Sequence, residues 1–190
     1  MSRSFLRRVE PARACVAVAV LLATAAAVVL HAQPSTLERK LKAAFVSKFP
    51  QFVEWPQTAN ASSGRVDVCV ATPDPFGPDL DALVAGQSLG GHPVAARRVG
   101  ADPDLDSCRV LYLGARPGGH PNPLLRRAAA LPILTVGDDP DFLDDGGIVR
   151  LRIVGGRVRF DINAAAASRV GLRISSQLLQ LAASVRGGGA

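Results

Sequence analysis

The chain is short of the side chains that catalysis most often uses. It contains three histidines and three cysteines in 190 residues. His31 and Cys15 fall in the first 32 residues, so His92, His120, Cys69 and Cys108 are the ones left beyond them. Both remaining histidines sit between glycine and proline, the setting of a solvated turn. G-x-S-x-G, H-E-x-x-H and the phosphate-binding P-loop are all missing. The glycine pairs 90–91, 118–119 and 146–147 lack the G-x-G-x-x-G order of a dinucleotide site. Asp138, Asp139, Asp141, Asp144 and Asp145 form an acidic run without the spacing or terminal glutamate of a calcium loop. Two thiols without matching His or Cys neighbours do not make a zinc site. These absences argue against an enzyme, and no catalytic residue, metal or cofactor is expected.

Long apolar runs are also missing after residue 30, so no later segment is expected to cross a membrane. Residues 1–32 read as an export signal. Arg3, Arg7, Arg8 and Arg13 give a basic start, and residues 16–30 an apolar run of fifteen. Ala32 is a plausible cleavage residue, an uncleaved anchor being the competing reading. No cysteine follows at lipoprotein distance. Cleavage leaves 158 residues, read as a single domain over 33–185 with a disordered tail at 186–190. It also lowers the net charge from +6 to +3, which gives no reason to expect nucleic acid as a partner. Cys69 and Cys108 in an exported chain suggest a disulfide, worth about 4 kcal/mol by loop entropy; two buried thiols are the alternative.

What is present is strong patterning. Helical spacing of Leu37, Leu41, Ala44, Phe45 and Phe52 predicts a first helix with these as its buried stripe, opened by a Ser35–Glu38 capping box and broken by Pro50. Residues 66–72 read as a central strand, with Val66, Val68 and Val70 on one face and Cys69 and Ala71 on the other. Residues 149–162 read as a hairpin about Gly155-Gly156. Counting outward pairs Ile153 with Val158, Leu151 with Phe160 and Val149 with Ile162 on one face. The other face pairs Arg150 with Asp161 and sets Arg152 against Arg159. Asn163 should cap a short helix stopped by Gly171, and Ser175 should cap a last helix over residues 176–186. The expected fold is α/β: a mixed, largely parallel sheet with helices on both faces, ending in a C-terminal hairpin at the edge and two short helices.

Two features are candidates for recognising a partner. Arg150, Arg152, Arg157 and Arg159, with Asp161, form the outer hairpin face. They could be covered by the same chain, screened by solvent, or met by an acidic partner. The Phe49, Phe52, Trp55 cluster is either core or, if Pro50 breaks the helix, a source of an exposed aromatic anchor.

Two blocks carry a family resemblance. GGIVRLRIVGGRVRFDINAAAASRVGLRISSQLLQLA, residues 146–182, and LKAAFVSKFPQFVEWP, residues 41–56, resemble the signatures of the YfiR family. Residues 68–77 and 108–114 fit more loosely, in family order, and Pro50 departs from the pattern. The resemblance implies a periplasmic regulatory protein. The best-understood members repress a membrane-bound diguanylate cyclase through its periplasmic sensor region, and an outer-membrane-associated partner relieves the repression. It carries over Asp161 and Asn163 as signature positions, with Asn163 read as a cap. The alternative is a small-molecule-binding or accessory subunit of an envelope sensor or transporter. A homodimer is compatible with either.

Overall fold

A computed structural model describes residues 36–57, 64–116 and 122–188. Residues 1–35, where the export signal is expected, His120 and the last two residues lie outside the described residues. The chain from Thr36 onward forms one compact unit.

The first helix, α1 (Thr36–Lys48), runs into a 3₁₀ turn over Phe49–Phe52. Pro50 removes an amide hydrogen, so the α-helix cannot continue through it. The buried face of α1 differs from the expected stripe. Lys42, Ala43, Val46 and Ser47 face inward, while Leu37 and Leu41 are 66% and 37% exposed. The reason is an ionic contact that apolar periodicity ignores. Lys42 Nζ reaches out of the helix to Asp138 Oδ2 (2.8 Å), which turns Lys42 inward, and also meets Glu38 Oε1 (2.9 Å) one turn back on α1.

Two strands, β1 (Val53–Glu54) and β2 (Val66–Ala71), follow. Next come α2 (Pro78–Val84), β3 (Ser88–Leu89), β4 (His92–Val99) and β5 (Cys108–Leu113). Then come α3 (Pro123–Ala128), β6 (Leu134–Gly137), β7 (Val149–Val154) and β8 (Arg157–Asn163). The chain closes with α4 (Ala164–Arg169), β9 (Arg173–Ile174), α5 (Ser176–Leu181) and β10 (Ser184–Arg186). The main sheet has the order β10-β8-β7-β6-β5-β2-β4-β3. Strands β4, β2, β5, β6 and β7 are mutually parallel; β7–β8 and β3–β4 are antiparallel.

Every residue of β2 and β5 is buried, as strands covered on both faces require. Val68, Val70, Val110, Tyr112, Leu134 and Leu151 face one core, with Val46 and Leu80 from α1 and α2. Cys69, Ala71, Leu111 and Leu113 face the other, with Leu124, Leu125 and Ala128 from α3. The hairpin register is as counted from the sequence, Val149↔Ile162 through Val154↔Arg157. Gly155 and Gly156 take φ of +56° and +72°, the left-handed pair such a turn needs. Asn163 and Ser175 cap α4 and α5, accepting from the amides of Ala166 and Leu178.

Three expectations about the C-terminus are corrected. The last helix stops at Leu181 instead of running to Arg186. Residues 184–186 then pair in parallel with Asp161–Asn163, so the tail expected to be disordered from 186 begins inside a strand, and the hairpin is not the sheet edge. Ser184 Oγ donates to Asp161 Oδ1 (2.8 Å), tying this strand down; a side-chain contact 23 positions away leaves no local periodic signal.

Candidate functional site

The outer face of the hairpin is built around one buried carboxylate. Asp161 is 1% exposed. Arg150 Nη2 and Arg152 Nε each donate to its Oδ2, at 2.7 and 2.8 Å, and Ser184 donates to Oδ1. Burial alone would raise the carboxyl pKa. The hydrogen bonds from Arg152, Arg150 and Ser184 outweigh it and hold the value at about 2. Arg150 also donates to the Pro140 carbonyl (2.6 Å). Asp161, Arg150 and Arg152 therefore form one structural knot. The like-charged cross-strand pair Arg152↔Arg159 is relieved on one side only, because Asp161 serves Arg152.

Beyond this knot the hairpin stands clear. Strand β7 pairs with β6 only through Val149 and Arg150. From Leu151 outward its β6-side edge has no strand beside it among the described residues. Arg157 and Arg159 are exposed, and Ile153 and Val154 are 39% and 46% exposed. The tip thus offers two apolar side chains, two cations and an open strand edge together.

The aromatic segment does a different job. Phe49 is buried and meets Phe160 edge-on, with ring centroids 5.4 Å apart. Phe45 lies 5.8 Å from the same ring. Phe52 and Trp55 are half-buried against this core. The backbone between them pairs with β9, Val53↔Ile174 and Glu54↔Arg173. The Ser175 amide donates to the Phe52 carbonyl (2.9 Å). Gly171, at φ +75°, ends α4 where a Cβ would stand 3.4 Å from Pro56 Cγ. The two sequence blocks that carry the resemblance, at opposite ends of the chain, are therefore packed on each other.

Cys69 and Cys108 are joined as a disulfide between adjacent strands, with Cα atoms 5.7 Å apart. Arg97 lies over it, its Nη2 at 3.5 and 3.2 Å from the two sulfurs. Arg97 Nε stands 2.9 Å from Asp67 Oδ2, and Asp67, fully buried, also accepts from Arg65 (2.7 Å) and Ser107 (2.7 Å). At Asp67 burial acts to raise the pKa, and these donors reverse it to a net lowering. This ionic cluster around the staple was not anticipated from the sequence. Arg65-x-Asp67 was its one local trace.

Open α/β sheets bind ligands outside the carboxyl ends of their strands. Here that end is filled from within. Asp138, just after β6, accepts from Lys42, from Tyr112 Oη (2.9 Å) and from the Ala115 amide (2.7 Å). Burial first, and Asp138 second, push the Tyr112 phenol well above its usual range, so it stays protonated as a donor. The acidic run is likewise spent on turns: Asp139 accepts from the Asp141 amide (3.0 Å), and Asp144 pairs with Arg186. Among the described residues no group of three or more His, Cys, Asp or Glu side chains is placed to hold a metal.

The YfiR/HmsC-like family description matches residues 39–183, about three quarters of the chain. The chain belongs to the YfiR/HmsC-like family. At family level this places it among periplasmic, regulatory and non-catalytic proteins that act on diguanylate cyclases. The family span starts inside α1 and ends just before β10, so it contains the interlocked α1–β1 and β8–α5 segments and the disulfide pair.

Proposed function

We propose that this YfiR/HmsC-like chain is exported and represses an inner-membrane diguanylate cyclase by direct contact with the cyclase's periplasmic region, lowering cyclic-di-GMP and biofilm formation. The observation that carries the reading is the hairpin tip on a family-typical scaffold. Arg157, Arg159, Ile153 and Val154 are exposed together beside an unpaired strand edge. An extended acidic segment can add to such an edge by backbone pairing while the arginines select for charge. Arg150 and Arg152 hold the platform through Asp161, and Phe52 and Trp55 support it from the opposite end of the chain.

Repression requires a difference in affinity. The protein must bind the inactive receptor conformation better than the active one, since equal affinity shifts no population. Deleting the gene should raise cellular cyclic-di-GMP, and restoring it should bring the level back. An unchanged level, with a cyclase carrying a periplasmic segment present and intact, would refute repression. Export is tested separately: the mature protein should be released with the periplasmic fraction, shortened by about the signal length.

A further inference from the structure

Arg109 is a cation that the fold buries and does not neutralise. It is 6% exposed. Its one hydrogen bond is a long contact from Nη1 to the Asp106 carbonyl (3.4 Å), and no carboxylate pairs with it among the described residues. Residues 58–63 and 117–121 contain no Asp or Glu, and the only acid elsewhere outside the described set is Glu10 in the export segment. Every other buried or half-buried arginine of the sheet has an acid partner: Arg97 has Asp67, Arg98 has Asp74, and Arg150 and Arg152 have Asp161. An unpaired buried charge destabilises the fold that holds it. Its guanidinium pKa is lowered by burial, the expected response to that cost.

The backbone places Arg109 deliberately. The β2–β5 register runs Asp67↔Cys108 and then Val68↔Val110, so Arg109 is the extra residue of a bulge. Bulges re-aim side chains. Cys108 is thereby left on the disulfide face, and Arg109 turns to the opposite one, into a cleft of about 370 Å³. Val53, Trp55, Pro56, Val66, Leu89 and His92 line it. The Trp55 indole Nε1 is buried there with no acceptor. Glu54 also borders the cleft, but it is exposed and makes no pair with Arg109. The volume suits a small organic molecule, and the lining combines apolar walls with the cation of Arg109 and the unsatisfied indole N–H of Trp55.

We propose that this cleft binds a small organic carboxylate with an apolar body, its carboxylate received by Arg109 and the Trp55 indole N–H and its body packed on Val53, Val66 and Leu89. A guanidinium takes a carboxylate through two parallel hydrogen bonds, which a point cation does not. The site is separate from the hairpin tip, and its failure would leave the repression reading untouched.

Trp55 is the sole tryptophan, so intrinsic fluorescence reports on the cleft directly. Titration of the purified protein with octanoate and with 4-phenylbutyrate should give a saturable change in Trp55 emission. The matching amides should bind at least tenfold more weakly, and so should inorganic phosphate. Arg109→Met should weaken the carboxylates at least tenfold while raising the melting temperature, because it removes an uncompensated buried charge; a purely structural arginine would lower it. No saturable response, equal binding of acid and amide, or phosphate binding as well as the carboxylates would each overturn the proposal. If Arg109→Met does not fold, the acid–amide comparison on the unaltered protein decides the proposal.

Discussion

Replacing Asp161 by alanine removes the acceptor of Arg150, Arg152 and Ser184 at once. Two adjacent cations then face each other on a sheet with no counter-charge. Both arginines keep contact with water, which softens the penalty, and a loss of about 2–3 kcal/mol in urea unfolding is expected. The same residue sets an acid limit. Its folded pKa of about 2 lies below the ordinary 3.8, so the carboxylate contributes stability that is present above pH 4. That contribution, about 2 kcal/mol, is lost as pH falls from 4 through 2. Melting temperatures measured across that range should drop more steeply for the natural protein than for Asp161→Ala. Parallel curves would show that Asp161 titrates normally.

Reduction of the staple belongs to the scale of elements. The crosslink closes a sequence separation of 39 residues between β2 and β5, and its loss should cost about 4 kcal/mol. Comparing the melting of Cys69→Ala/Cys108→Ala with the oxidised protein measures it; equal melting would show that the bridge does not stabilise the fold. At the other end of the sheet, β10 covers β8. A chain ended after Ala182 bares that edge and removes Ser184 from Asp161, so it should elute on size-exclusion chromatography as larger assemblies than the full chain forms. The same elements show what the sequence could reveal. The hairpin register, both caps and the two-faced strand were legible because each depends on neighbours within a turn or on strict alternation. The rotation of α1, the end of α5 and the strand β10 were not. Each is decided by a side chain meeting an aspartate far away in sequence, Lys42 with Asp138 and Ser184 with Asp161. Of the candidate site, the arginine face was visible as alternation. The burial of Asp161 and the bulge that turns Arg109 inward depend on neighbouring strands, and no local pattern announces them.

For the whole molecule, the two ends of the family span fold onto each other through Phe45, Phe49 and Phe160 and through β1 and β9. The scaffold is therefore closed on itself, and the hairpin tip exposes apolar and cationic groups together beside an open edge. The central claim is that this protein acts by touching another protein there. The direct measurement is binding of the purified protein to the periplasmic segment of a diguanylate cyclase from the same cell, by biolayer interferometry, for the natural sequence and for Arg157→Glu/Arg159→Glu. These arginines take no part in the Asp161 knot, so the variant should melt within about 1 kcal/mol of the natural protein. The account predicts saturable binding by the natural protein and at least tenfold weaker binding by the folded variant. Equal binding by the two, or none by either, would contradict it.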